Sequence, residues 1–579
     1  MLNFVFLLLF LACQSRSGVS GDLPWERWVL LKSEGNRITM HRGLPSSRSS
    51  GNNMLAWTSY KNTLMKNGWI QIEVTTNENA DNKLQAYAAG YMEGYLTKQH
   101  IADRWTNYYK PGHFCSPSSS TLYCNNLRYY LTRNTQHMLK KIKRNPNSAY
   151  WNQIHLLLVQ AQGLIDGYYK RTHINANIRF KPFGLYYLNL LGDMETLQPI
   201  MKGTPIKVVT SPDDVKPGSC SALVKLLPNN TDVFMGHATW TNYRSMLRMM
   251  KRYNLNFKDK SGNKIPGHTM AFPSQPGQLY SKNDFYTLSS GLVTMETSMS
   301  NFNKKLWTIV REQYWNVLEW IRNVVANRMA GDGEEWCEVF SRHNSGTYNN
   351  QWMIMDYNKF EPGVQPTKDS GLLYLLEQMP TLVTYRDITE HLVNQTYWPS
   401  YNLPYFKETN KLSQLYRISN IYKSFSYHGA TRAKIFARNQ TRVKDIKTMF
   451  KLMRYNNYKH DPLSACNCDP PYTAAKAIAA RGDLNPANGT YSLKSYGLAD
   501  YVATDAKVVG YSMMKNFEIL AECGPTHDQQ PPFVWSKSPF SHVSHKGMPD
   551  KYDFKPTLII WDKFSPLKML DKIHKSVNL

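Results

Sequence analysis

Apolar and polar positions alternate with period two over residues 68–74, which predicts a strand. Residues 84–100 carry helical spacing, and Ala86, Ala89, Gly90 and Gly94 would let a neighbour pack closely against that helix. Further helices are expected over 148–169, over a basic stretch at 241–253, and over 431–455. The last has Ile435, Phe436, Val443, Ile446, Phe450 and Met453 on its apolar face. Residues 292–299 read as a strand, and 344–356 as a polar loop entering one. The end of the chain, rich in Pro, Trp and Tyr, reads as packed irregular structure.

The pattern breaks at 204–219, where Pro205, Pro212-Asp213-Asp214 and Lys216-Pro217-Gly218-Ser219 predict an exposed loop. A strand-like run starts at once at Cys220 and ends near Leu227. Pro228-Asn229-Asn230-Thr231 is a turn, and a second strand-like run follows from Asp232, so the segment reads as a β-hairpin. With the turn centred between Asn229 and Asn230, Cys220 falls opposite Thr239. His237 then shares the face of Cys220 as a diagonal neighbour, roughly 7–8 Å away.

The chain has 579 residues, 42% hydrophobic and 19% charged, a globular composition long enough for several domains or one large layered one. Phe4 to Ala12 is an apolar run too short to span a bilayer, and Val19-Ser20-Gly21 follows as a cleavage site, so residues 1–21 read as a signal peptide. No later run approaches the roughly 18 apolar residues of a membrane helix. A soluble secreted or lysosomal protein is therefore expected. Asn-x-Ser/Thr sequons at Asn229, Asn394, Asn439 and Asn488 fit a glycoprotein. A net charge of +26 with a dense run at Lys140–Arg144 suits either a solvated basic surface or attraction to an anionic membrane. Nucleic acid is not expected as a partner, since no zinc-finger or RNA-binding signature is present.

Of eight cysteines, Cys13 leaves with the leader, and seven remain, an odd number in an oxidising compartment. Cys115 and Cys124 flank a Ser-rich loop and read as a local disulfide. Cys466 and Cys468 can pair only as a tight ring, and spacing alone leaves that pairing open. Cys220, Cys337 and Cys523 are then left over. Neither arrangement has zinc spacing, so no metal site is expected, and no cofactor motif is present. There is no Gly-x-Ser-x-Gly elbow, His-Glu-x-x-His or Walker loop, nor the cysteine context of a papain-like protease.

What remains is a cysteine at the junction of an exposed loop and a strand. Such a thiol can attack the preceding carbonyl, giving an N-to-S acyl shift. The shift frees the cysteine α-amine, and hydrolysis of the thioester then frees the thiol. The amine, with a pKa of about 8, can serve as base for that thiol.

The stretches 218–227 and 236–240, together with 84–94, 290–297, 344–352, 483–489 and 531–535, resemble the phospholipase B-like family, which includes the lamina ancestor proteins and lysosomal and secreted members. They follow in order over nearly the whole chain. The resemblance implies an α+β fold of the N-terminal-nucleophile hydrolases, a four-layer αββα sandwich of two antiparallel sheets between helical layers. It also implies self-cleavage between Ser219 and Cys220 into chains 22–219 and 220–579 that stay associated as one unit. Cys220 would then be the nucleophile, with His237 and Trp240 from a His-x-x-Trp pattern beside it. Thr297 matches a pocket threonine, with Ser298 as the alternative one position on. Asn402 fits a pocket amide able to stabilise an oxyanion, with Asn350 as its rival, and Arg432 would orient a carboxylate or phosphate. The implied reaction is hydrolysis of acyl bonds. The family name points to fatty-acyl esters of glycerophospholipids, the fold to N-acyl amides or small peptides. A non-enzymatic lipid-binding protein is the reading from another class.

Overall fold

The computed structural model describes residues 24–43, 53–109, 114–116, 118–202 and 220–566. The expected leader, the loop 204–219 and Ser219 lie outside the described residues. In chain order the strands that matter are β1 (Glu26–Lys32), β2 (Ile38–Arg42), β3 (Met54–Thr63), β4 (Trp69–Thr76), β5 (Cys220–Leu226), β6 (Val233–Thr241), β7 (Arg248–Asn254), β8 (Thr269–Ser274), β9 (Phe285–Leu288), β10 (Leu292–Ser298), β11 (Asn350–Asp356), β12 (Leu373–Met379), β13 (Leu382–Asp387), β14 (Tyr397–Ser400), β15 (Val502–Ala503), β16 (Asp505–Val509) and β17 (Ile519–Cys523).

Among the described residues, eleven strands form one sheet in the order β13-β12-β11-β10-β9-β8-β7-β4-β3-β1-β2. A smaller sheet runs β14-β5-β6-β16-β17 and on to Thr557–Ile559, with β15 paired to β6. The sheets face each other. Alternate residues of β5 show it: Ala222, Val224 and Leu226 join the large core shared with β10 and β11, whereas Leu223 packs on the opposite side. Helices cover the outer faces, giving the expected α+β sandwich. One pairing departs from the expectation of purely antiparallel sheets: β4 and β7 are parallel. They lie far apart in sequence, so nothing in either strand alone could show it.

On the large sheet, the helices Asn82–Leu96 and Ala149–Tyr168 lock together through glycine. A Cβ at Gly90 would stand 1.9 Å from the carbonyl oxygen of Gln160, and one at Gly163 would stand 2.1 Å from that of Tyr87. Gly94 and Gly167 repeat the same contact one turn on. The backbones touch because no side chain separates them.

On the small sheet, Ile435, Phe436, Met449, Phe450 and Met453 pack over Leu223, Phe234 and Val508. The single helix expected over 431–455 is in fact two, Thr431–Asn439 and Ile446–Met453. Val443 is extended and buried between them, and Asp445 restarts the helix with a capping box to Thr448. Likewise the helix expected over 84–100 is divided at Thr97 from Lys98–Tyr108.

The basic helix expected over 241–253 is a short 3-10 turn, Tyr243–Ser245, followed by the inner strand β7. Its cations are not a solvated face. Lys251 pairs with Glu93 at 2.6 Å, Arg252 with Glu73 at 3.1 Å and Arg248 with Asp505 at 3.6 Å, each partner supplied by a distant segment. The other predicted elements stand: β4, the helix Ala149–Tyr168, the hairpin β5–β6, β10 and β11. Cys115–Cys124 and Cys466–Cys468 are disulfides, and Cys220, Cys337 and Cys523 are free and buried.

Candidate active site

The hairpin has the register that the sequence predicts. Cys220 pairs with Thr239 and Ala222 with His237, so Cys220 and His237 share the face turned to the large sheet. Both are buried, Cys220 at 1% exposure and His237 at 0%. Opposite them, the chain before β9 brings in Asp284 in a left-handed conformation (φ 60°). The Cys220 Sγ donates to Asp284 Oδ2 across 3.5 Å, and Tyr348 Oη donates to the same carboxylate at 3.2 Å. One ligand-type atom each from Cys220, His237 and Asp284 lies within 4.8 Å of the other two.

His237 Nε2 is 2.8 Å from the carbonyl oxygen of Glu296. A carbonyl only accepts, so Nε2 carries the proton and Nδ1 the lone pair. That Nδ1 is buried and has no hydrogen-bond partner among the described residues. Burial and then the nearby Lys507 cation hold His237 well below its usual pKa, so the imidazole is neutral. Burial pushes the Cys220 thiol well above its usual value, and the carboxylates of Asp284 and Glu296 add to the rise. The intact chain therefore holds a protonated thiol here.

Beneath the thiol runs a charged network from β16. Lys507 Nζ lies 2.8 Å from Asp505 Oδ1 and donates to Thr239 Oγ1, and Asn283 Nδ2 donates to Asp505 Oδ2 at 2.6 Å. Burial alone would raise Asp505, but Lys507 and Arg248 outweigh it and hold the carboxyl at about 2. Asp505 is thus a fixed anion that ties β6 to β16 under Cys220.

Trp240 lies on the other face of the hairpin, where its Nε1 and the Ser221 hydroxyl both donate to the Ile478 carbonyl. Arg432 packs on the Trp240 face and reaches the Cys220 backbone. Its guanidinium stacks 4.5 Å from the Trp240 ring and donates to the Cys220 carbonyl, to Ser221 Oγ at 3.2 Å, to the Tyr401 carbonyl at 2.9 Å and to Asn402 Oδ1 at 2.7 Å. Asn402 in turn donates through Nδ2 to the Ser298 carbonyl at 2.7 Å, and its backbone N–H reaches Thr297 Oγ1 at 3.2 Å. One Asn402 N–H stays free of these bonds.

Thr297 and Ser298 therefore both hold Asn402, one by hydroxyl and one by carbonyl. Asn350 pairs with Ser298 across β10–β11 but has no hydrogen bond to Arg432 or Asn402, and its buried amide has no partner among the described residues. Of the two amides, the geometry joins Asn402 to Arg432. Asn229, Asn394 and Asn488 are exposed, whereas Asn439 is buried at 5% exposure, which leaves its sequon no room for a glycan.

Asp284, Glu296, Asp505 and Lys507 are the residues that sequence reading missed. Glu296 adjoins Thr297 within a segment already singled out. Asp505 and Lys507 carried a faint signal, two opposite charges at i and i+2 in an otherwise apolar strand.

Above Arg432 opens a pocket walled by Trp240, Phe302, Leu403, Leu415, Phe425 and Leu493, with Arg432 and Lys476 as its cations. Among the described residues, no helix is long and apolar enough to cross a membrane.

A family model described as Phospholipase B matches residues 56–559. "Putative phospholipase B-like 2" of Homo sapiens is 43% identical over 515 residues, covering 88% of this chain and 86% of the relative. "Putative phospholipase B-like 1" of Caenorhabditis elegans is 36% identical over 595 residues and covers both chains fully. "Phospholipase B-like protein B" of Dictyostelium discoideum is 35% identical over 516 residues, covering 87% of this chain and 86% of the relative.

Proposed function

The chain belongs to the phospholipase B family, and from that premise we propose that it is a self-processing cysteine hydrolase of acyl bonds, with fatty-acyl esters of glycerophospholipids as the substrate class. The observation that carries this reading is the joining of three things. A buried thiol starts a strand, a guanidinium fixes the carbonyl of that same residue, and an apolar pocket opens beside that guanidinium. The pocket suits an acyl chain, and its two cations suit an anionic headgroup.

In the intact chain Cys220 has no free amine, so its thiol passes its proton to Asp284 as Sγ attacks the Ser219 carbonyl carbon. The C–N bond then breaks, the Cys220 nitrogen takes a proton, and a thioester remains on Sγ. Water hydrolyses it, and the freed α-amine becomes the base for the thiol. In turnover the thiol attacks the substrate carbonyl, and the free N–H of Asn402 is a donor for the developing oxyanion. Arg432 holds Asn402 and the Cys220 carbonyl in fixed relation, so donor and nucleophile stay in register. Two disulfides and three exposed sequons support a secreted or lysosomal setting.

The test compares wild type with Cys220→Ala and Cys220→Ser on vesicles of glycerophospholipid and on N-acyl amides. Equally low turnover by the cut protein and the uncut variants on both classes would remove the enzyme reading. Turnover of amides alone would move the substrate class.

A further inference from the structure

We propose that the Cys220–His237–Asp284 cluster is a binding site for a borderline divalent cation, zinc above all, and that the bound metal holds back self-cleavage. The three ligand-type atoms lie within 4.8 Å of one another, so a tetrahedral ion at roughly 2.0–2.3 Å from each needs them to close by about an ångström. Thiolate, imidazole and carboxylate form a donor set that suits zinc.

Two of the ligands already have the supports that metal ligands use. His237 donates Nε2–H to the Glu296 carbonyl, which fixes the tautomer and leaves the Nδ1 lone pair for the metal. Asp284 accepts from Tyr348 Oη, which fixes its carboxylate. His237 Nδ1 is fully buried and has no hydrogen-bond partner among the described residues, a costly state for a polar atom that a metal would relieve. Two cations act on the cluster, and each already has a partner: Lys507 is paired with Asp505 and Lys282 with Glu195 at 2.5 Å, so neither is committed to the thiolate. Cys220 and His237 share one hairpin, but Asp284 comes from a segment 64 residues beyond Cys220, which is why no spacing in the sequence suggested a metal.

On binding, the Cys220 thiol releases its proton to water and its sulfur lone pair goes to the metal. That lone pair is the one the attack on Ser219 needs, and Asp284 is the base that attack needs. Occupancy therefore opposes cleavage, and removing the metal restores it.

The experiment titrates the metal-free full chain, its two disulfides intact, with cobalt(II), whose bond to a thiolate gives a near-ultraviolet charge-transfer band. One equivalent should raise the band, and zinc should displace it. Cys220→Ser should abolish the band, and His237→Gln and Asp284→Asn, which each remove a ligand, should weaken binding by more than the roughly 10–100-fold that loss of an outer partner costs. Cys337→Ser and Cys523→Ser should leave it unchanged. No band in wild type, or a band that survives Cys220→Ser, overturns the site. In parallel, zinc should slow the appearance of the chain that starts at Cys220, and a chelator should restore it. A cleavage rate indifferent to zinc overturns the regulatory part. A chain that binds cobalt through Cys220 yet is never cut there would keep the site and remove the self-cleavage reading.

Discussion

The thiol of Cys220 donates to the buried carboxylate of Asp284, 3.5 Å away, across the gap between two sheets. The contact joins residues 64 positions apart, and in the proposed self-cleavage it would give the first step a base that the sequence did not reveal. Asp284→Asn keeps the shape and removes the base. Self-cleavage should slow by roughly 100-fold, within the range of general-base effects. A time course of precursor loss on a denaturing gel measures it, and an unchanged half-life would give the proton to another group.

Arg432 holds four acceptors and a ring with one planar head. Lysine keeps the charge but cannot span them. Arg432→Lys should lower kcat/KM on the best acyl substrate by roughly 100-fold, comparable to losing an oxyanion donor. A change within twofold would show that Asn402 keeps its place unaided.

Glu377 accepts from the backbone N–H groups of Tyr405 (2.6 Å) and Phe406 (3.3 Å) and from Gln351, so it anchors the segment that follows Asn402. Burial pushes its carboxyl from 4.5 up to about 7. Its protonation favours the folded state. That contribution is full below about 4.5 and is lost as pH rises through about 7. The gap corresponds to roughly 3 kcal/mol. Glu377→Gln cannot titrate, so its stability relative to wild type should improve by up to that amount between about pH 5 and about pH 8, all other groups cancelling in the difference. Urea unfolding of both proteins at each pH measures it, and a constant difference would mean that Glu377 does not titrate there.

The glycine-locked helix pair sets a third kind of limit. A methyl group at Gly163 must push Tyr87 O aside from 2.1 Å, which the backbone cannot do without separating the helices. Gly163→Ala should cost about 3 kcal/mol, read as a lowered urea midpoint. The control Gly331→Ala, whose nearest neighbour is a carboxylate oxygen at 3.5 Å, should be near neutral.

The hairpin and its register were legible because both depend on local pattern: two apolar runs, a Pro-Asn-Asn turn, and period-two alternation that carries His237 to the face of Cys220. Gly90 and Gly94 were legible as contact points for the same reason. The charged strand β7 was not. Its Arg248, Lys251 and Arg252 look like a solvated helix face until Asp505, Glu93 and Glu73 arrive from other segments to neutralise them. Asp284 is the same case at the site, a lone acid in sequence that only tertiary structure sets against the thiol. Local rules also merged two helices at Val443, because an apolar residue in helical phase gives no sign that its backbone is extended.

The central claim is that the bond between Ser219 and Cys220 is cut by the Cys220 thiol, and N-terminal sequencing with intact mass of the purified protein tests it most directly. The account predicts a chain that begins at Cys220 in wild type and an uncut precursor in Cys220→Ala. A wild-type protein with no N-terminus at Cys220, or a Cys220→Ala variant cut at the same bond, would contradict it.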